Sequence, residues 1–154
     1  MAVKAFIAEK HAEWSTFMKE GNTTDLATSH FAEDCKIMPP GFQTMNGRDA
    51  LQKYAEYIIA SGCTGGSVTT DEIDPVAESA PVGTIFWERG HYVYYKACDA
   101  IMETGKYVAL WRKLPGGKLE IYADIWNSTN SCSIIDPMAQ VASKKVRGSI
   151  KMTD

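Results

Sequence analysis

Apolar residues recur at helical spacing in the first third of the chain. Over residues 3–20 they fall at three- and four-residue steps, with Lys and Glu between them, which predicts an amphipathic helix. These apolar positions are Phe6, Ile7, Trp14, Phe17 and Met18. Gly21 and Asn22 are expected to end this helix. The same period over residues 46–62 predicts another helix, which stops at Gly62.

A shorter helix and a strand are predicted between these two. Thr23 or Thr24 can cap the short helix, which would reach His30 or Phe31. Residues 35–38 then suit a short strand, because Pro-Pro-Gly follows them directly.

The second half of the chain has the two-residue period of strands. Strands are expected over residues 67–79, 84–96, 105–114 and 118–128, the last two joined by a Pro-Gly-Gly turn. Helices first and strands later are typical of an α+β domain with helices on one face of a curved antiparallel sheet. A parallel α/β fold would need helices interleaved with its strands.

Composition narrows the class of protein. The chain has 154 residues, a formal net charge of −3, 45% hydrophobic and 23% charged residues. These values suit one domain, expected over residues 1–132. They give no electrostatic reason to expect nucleic acid or an anionic membrane as a partner. No apolar run could span a bilayer, and charges interrupt the N-terminal segment, so a cytoplasmic location is expected.

Cysteine and histidine spacing offers no metal or cofactor motif. The cysteines stand at 35, 63, 98 and 132 and the histidines at 11, 30 and 91. Reduced thiols, no metal and no cofactor are therefore expected. Residues 133–154 form an expected C-terminal extension that is basic at its end. It is either a site for an anionic partner or a solvated terminus, and the second interpretation is favoured.

Two segments carry a family resemblance. They are FAEDCKIMPPGFQTMNGRDALQKY at 31–54 and GKYVALWRKLPGGKLEIYADIWNS at 105–128. With the preceding helices they resemble the nuclear transport factor 2-like superfamily, also called cystatin-like, and within it the polyketide-cyclase-like and small uncharacterised domains. The resemblance implies three helices packed on a strongly bent antiparallel sheet, a cone with an internal pocket. Because this superfamily hosts many activities, the fold does not determine the function.

The resemblance argues against steroid isomerisation. Steroid isomerases of the superfamily use a tyrosine and two aspartates, and the matching positions here are Trp14, Ala109 and Pro39. Ala109 and Pro39 offer no side-chain acid–base chemistry.

The same resemblance predicts the pocket wall. Strand alternation puts Tyr122, Asp124 and Trp126 on one face of the last strand, and the superfamily's inward parity turns that face to the pocket. The expected pocket residues are Trp14, Met38, Tyr54, Glu88, Tyr92, Tyr107, Trp111, Tyr122 and Trp126. No ligand identity follows from them.

Asp124 is the candidate catalytic residue. It resembles the late-strand aspartate that polyketide cyclases use as acid and base, and aromatic surroundings would raise its pKa. Alternatively it forms a structural ion pair with Arg112 or Arg48, or its face meets a second subunit. His91 as a base and Arg48 as an anion ligand are weaker candidates.

Three functions follow in order of preference. The first is a small-molecule-binding protein with a pocket for an apolar or ring-containing ligand. The second is a polyketide-cyclase-like or dehydratase-like enzyme that uses Asp124. The third is an association module with a vestigial pocket. A homodimer is expected on the sheet face turned away from the helices.

Overall fold

The computed structural model describes residues 3–77 and 79–129, so the extension expected over 133–154 lies outside it. The elements are α1 (Val3–Glu20), α2 (Thr23–His30), β1 (Phe31–Met38), β2 (Met45–Asn46), α3 (Arg48–Ala60), β3 (Gly65–Ile73), β4 (Ile85–Lys96), β5 (Ala100–Lys113) and β6 (Leu119–Ser128). Single turns of 3₁₀ helix at Ala97–Asp99 and Pro115–Gly117 join β4 to β5 and β5 to β6. In these ranges no helix has the length and apolarity needed to cross a membrane.

The helices begin and end where backbone groups find local partners. Gly21 takes φ +69° after α1, and the amide of Asn22 donates to the carbonyl of Phe17 at 2.9 Å. The prediction that a threonine caps α2 is wrong. Asn22 is the cap, because its side-chain oxygen accepts from the amide of Asp25 at 3.2 Å.

Six strands form one open sheet in the order β2-β1-β6-β5-β4-β3. The predicted α+β class is confirmed, with all three described α-helices before residue 63 and the strands β3 to β6 after it. The expectation of a wholly antiparallel sheet is wrong for one pair, since β1 runs parallel to β6. Almost the whole domain separates these two strands, which gives the chain ample length for a parallel crossover.

Three strand boundaries differ from the predicted ones. β1 begins at Phe31 and β5 at Ala100, earlier than expected, whereas β3 ends at Ile73. Pairing with a neighbouring strand extends β5 through residues whose local pattern is weak.

A bulge in β6 changes which residues face the helices. Leu110 pairs with Ala123, but the next residue, Trp111, pairs with Ile121, so Tyr122 is the extra residue. Before the bulge Ile121 faces inward with Trp111. After it Asp124 and Trp126 do so, opposite Ala109 and Tyr107.

Two glycines make room for tyrosine rings on the concave face. Gly90 pairs with Tyr107, and Gly105 pairs with Tyr92. A Cβ at Gly90 would lie 2.8 Å from the ring of Tyr107 and 2.0 Å from the carbonyl oxygen of Thr69. The rings therefore lie across backbone that has no side chain.

The core lies between this concave face and the helices. Its largest fully buried side chains are Trp111, Ile7, Leu26, Ile37, Glu88 and Cys35. Ile7 belongs to α1, which packs against β3, where the ring of Trp14 covers Gly66. Burial of an aliphatic side chain of this size stabilises the fold by roughly 1.5–3 kcal/mol.

The glycine beneath Tyr107 gives a direct test of the packing. Gly90→Ala should lower the free energy of unfolding by roughly 1–3 kcal/mol, because the new Cβ meets backbone and ring. Gly65→Ala, in β3, is the matched control, since its Cβ would meet nothing within 4 Å. Urea unfolding measures both. Equal losses in the two variants would contradict the packing described here.

Candidate functional site

A cavity of about 90 Å³ lies between the helices and the concave face of the sheet. Its wall is mostly apolar and contains one carboxyl group, that of Asp124. Five other residues of the predicted pocket line it: Trp14, Tyr54, Tyr92, Tyr107 and Trp126. The volume is smaller than the roughly 150 Å³ that holds benzene in an engineered apolar cavity. A ring-containing ligand therefore has to be compact or has to widen the cavity.

Four predicted pocket residues are not in the wall. Glu88 and Trp111 lie behind it, fully buried in the core. Met38 pairs with Ile125 on the outer side of the sheet. Placing Tyr122 in the pocket was wrong, because the bulge turns it outward, where its ring centre lies 4.9 Å from the Arg112 guanidinium.

Among the described residues, Asp124 has no basic partner. Arg112 pairs with Asp34 at 2.8 Å and with Glu120 at 2.6 Å, and Arg48 donates to the carbonyl of Phe31. The predicted alternative of an ion pair with either arginine is therefore wrong. Asp124 as a whole is partly buried, but its Oδ1 atom is closed to solvent and has no hydrogen-bond partner.

The surroundings favour the neutral form of Asp124. Burial, and then the charge of Glu88, raise its pKa from 3.8 to about 7. Glu88 and Asp124 both pair across the sheet with Ala109, on its two sides, so the two carboxyl groups share one row. Strand spacing puts their backbones about 10 Å apart.

Unlike Asp124, Glu88 is a fully buried carboxylate whose two oxygens both accept hydrogen bonds. Its Oε1 accepts from Thr70 at 2.6 Å, Tyr107 at 2.7 Å and His11 at 2.6 Å. Its Oε2 accepts from the indole of Trp111 at 2.7 Å. Burial alone would raise the pKa of Glu88, but the hydrogen bond and charge of His11, with the other bonds, lower it.

His11 is a cavity residue that the sequence did not reveal. It lies on α1, lines the cavity, and reaches Glu88, which is 77 positions away in the chain. Because an ionised carboxylate only accepts hydrogen bonds, Nε2 of His11 must carry a hydrogen. The nearest sequence signal was the place of His11 on the apolar side of α1, three residues before Trp14.

The weaker candidates lie elsewhere. His91 is half exposed on the outer side of the sheet and bonds Asp71 at 3.0 Å. Arg48 holds the start of α3 to the end of α2 through the Phe31 carbonyl. Neither residue lines the cavity.

The cavity tyrosines stay neutral at physiological pH. Burial raises the pKa of Tyr54 to about 12 and raises those of Tyr92 and Tyr107 further. Tyr92 donates to Glu103 and Tyr107 donates to Glu88. Tyr92 and Tyr107 therefore act as hydrogen-bond donors to carboxylates.

The arrangement can bind a small molecule and can exchange a proton with it. A carboxyl group with a pKa near 7 can act as acid or base near neutral pH. A buried polar atom without a partner costs about 1–3 kcal/mol, so a ligand that bonds Oδ1 of Asp124 recovers that free energy. Within residues 3–77 and 79–129 no three His, Cys, Asp or Glu side chains are grouped to hold a metal ion.

Solved structures share this architecture. A ketosteroid isomerase-like protein from Erwinia carotovora atroseptica is 13% identical, with a TM-score of 0.63, over 82% of this chain and 96% of the other. A protein of unknown function with a cystatin-like fold from Nostoc punctiforme is 13% identical, with a TM-score of 0.67, over 85% and 95%. A candidate scytalone dehydratase from Novosphingobium aromaticivorans is 20% identical, with a TM-score of 0.59, over 82% and 83%.

Sequence comparison adds nothing to these structural matches. No protein-family model and no curated protein matches the chain. At these identities the structural likeness establishes the fold and leaves the activity open. The resemblance found in the sequence is confirmed at that level: the chain has the nuclear transport factor 2-like, cystatin-like fold.

Proposed function

We propose that this protein binds a small, mostly apolar, ring-containing molecule inside the cone, with Asp124 orienting its polar end. The observation that carries the proposal is a carboxyl group in an aromatic cavity for which residues 3–77 and 79–129 supply no countercharge. Trp14, Tyr54 and Trp126 supply flat apolar surface on which a ring can pack. Such a cavity, apolar with few polar groups, is typical of ligand sites.

Proton-transfer catalysis on the bound molecule is the second candidate. The pKa of about 7 for Asp124 supports it, because a catalytic acid or base works best near the operating pH. The neighbours with names that suggest isomerase or dehydratase chemistry support it only by analogy of fold. An enzyme would lose turnover in Asp124→Asn, whereas a binding protein would lose only affinity.

Filling the cavity should abolish binding. Ala109→Leu places a larger side chain between Glu88 and Asp124, where the cavity lies. Saturation-transfer NMR with cyclopentanone, cyclopentanol and 2-pyrrolidone should detect binding to the wild type and none to this variant. Val108→Leu, one residue away on the outer face, is the matched control and should bind normally. Binding that survives in Ala109→Leu would place the site elsewhere.

The protonation of Asp124 should appear in the stability of the protein. The folded chain keeps this proton up to about pH 7, whereas an unfolded one releases it near 3.8. Stability from this group is therefore lost as the pH rises between these values, by about 4 kcal/mol at most. Asp124→Asn should remove that loss and be the more stable protein at pH 8, as measured by urea unfolding at pH 4.5 and 8.

Asp34→Asn is the control with the opposite sign. The hydrogen bond from Arg112 lowers the pKa of Asp34, so its stabilising effect is present above the ordinary value of 3.8 and lost in acid. This variant should be slightly less stable than the wild type at pH 8. If Asp124→Asn also lost stability at pH 8, Asp124 would be ionised and paired.

A homodimer through the outer face of the sheet is proposed as well. Val108 is 40% exposed and Ile125 is 49% exposed, and they pair across β5 and β6. Met38 continues this row on β1. An apolar patch that crosses three strands favours a self-complementary interface over open solvent.

Sedimentation velocity at micromolar concentration tests the dimer. The wild type should sediment as a dimer and Ile125→Lys as a monomer, because the charge would be buried without a partner. Val82→Lys is the control, since Val82 is 62% exposed in the loop before β4. A monomeric wild type would refute the proposal.

A further inference from the structure

Two unpartnered polar atoms lie together in the cavity wall. In the described part of the chain, the buried side-chain atoms without a partner in hydrogen-bonding geometry are His30 Nδ1, Asp124 Oδ1 and Trp126 Nε1. The last two are two residues apart on β6 and therefore on one face of the strand. Buried polar atoms in folded proteins almost always have partners, so a pair of exceptions on one strand face points to a partner outside the described residues, for which a bound molecule is the candidate.

The neighbouring polar groups are already engaged. Glu88 accepts bonds at both of its oxygens, Tyr107 donates to Glu88, and Tyr92 donates to Glu103. His11 Nε2 is also directed at Glu88. Oδ1 of Asp124 and Nε1 of Trp126 lack a partner in full hydrogen-bonding geometry, although the Trp126 indole is near enough to Tyr54 to favour the ionised form of that hydroxyl.

The chemistry of the two atoms defines what they can hold together. The indole N–H of Trp126 only donates. Asp124 only accepts once its carboxyl group is ionised, which its pKa of about 7 places on the alkaline side of neutral pH. A hydroxyl group can accept from the first and donate to the second. The adjacent C=O and N–H of a cyclic amide can do the same, whereas a ketone satisfies the indole alone and a hydrocarbon satisfies neither.

We infer that the ligand carries a hydroxyl or cyclic amide group, which accepts a hydrogen bond from Trp126 and donates one to Asp124. This inference rests on the proposed binding function and adds the chemical class of the ligand. The volume of about 90 Å³ limits the rest of the ligand to a compact ring unless the cavity widens. The ring of Tyr54 meets that of Trp126 edge-on at 5.3 Å, so a ligand that reaches the indole N–H displaces or flanks this contact.

A pair of matched probes tests the inference. 2-Pyrrolidone and cyclopentanone have rings of the same size, but only the first has an N–H beside its carbonyl. Their dissociation constants are measured by NMR titration at pH 8.5, above the pKa of about 7 at which Asp124 ionises. Asp124→Leu removes the acceptor and keeps the branched shape, and Trp126→Phe removes the indole N–H. The methyl groups of the leucine are bulkier than the carboxylate oxygens, but the two probes have the same size, so this effect cancels in the ratio of their dissociation constants.

The ratio of the two dissociation constants is the readout. The wild type should favour 2-pyrrolidone, relative to Asp124→Leu, by roughly tenfold, the usual effect of a hydrogen bond to a charged group. Trp126→Phe should weaken the binding of both probes, because both carbonyls accept from the indole. Trp87→Phe, a tryptophan on the outer face of β4, is the control and should change neither constant.

The outcomes separate this inference from the proposed function. If the ratio is the same in wild type and Asp124→Leu while Ala109→Leu blocks both probes, the cavity binds ligands but the inference is wrong. If neither probe binds the wild type, the proposed function and the inference fail together. Thermal melting checks that each variant folds. If Asp124→Leu does not fold, unchanged binding of both probes to Trp126→Phe is enough to overturn the inference.

Discussion

The buried carboxylate of Glu88 is the interaction on which the rest of the arrangement depends. Its four donors come from three elements: His11 of α1, Thr70 of β3, and Tyr107 and Trp111 of β5. Loss of a partner from a buried charge costs about 3–5 kcal/mol. The carboxylate therefore holds helix α1 at a fixed distance from the sheet, and that distance sets the width of the cavity.

The same charge determines the state of Asp124. Burial and the charge of Glu88 favour the protonated form of Asp124. Ala109 lies between the two groups and is too small to fill the space. One row across the sheet thus contains Glu88, whose carboxylate is fully hydrogen-bonded, then Ala109, beside which the cavity lies, and then Asp124, whose Oδ1 has no partner among the described residues.

Local patterns in the sequence predicted most of the fold, and long-range contacts explain the remainder. The helical period of α1 and α3 and the Pro-Gly-Gly turn before β6 were sufficient, because these elements depend on neighbouring residues. The bulge at Tyr122 has no signal in the alternation of β6, which continues through it without a break. Because of this bulge, the residues of β6 before and after Tyr122 face the cavity with opposite parity, and Tyr122 itself lies on the outer face.

The candidate site shows the same division. The resemblance predicted that Asp124 and Trp126 face the pocket, and both residues line the cavity. Strand alternation alone could not choose between the two faces of β6. The partnership of His11 with Glu88 could not be predicted, since it joins a helix near the start of the chain to a strand 77 residues later. Glu88 was predicted as a pocket residue, whereas it lies behind the wall opposite Ala109, and its four hydrogen bonds were not predicted.

The function of this fold depends on the few side chains that line its cavity. The resemblance in the sequence predicts that Trp14, Ala109 and Pro39 stand where steroid isomerases have their catalytic residues, and this correspondence stays a prediction. Asp124 is the one carboxyl group in the cavity wall, and it has an aromatic donor beside it in Trp126. Recognition of a ligand would then depend on Asp124 and Trp126 together with the aromatic rings around them. A ligand that lacked a polar group would leave both atoms unpaired, and one much larger than a single ring would have to separate α1 from the sheet against the bonds of Glu88.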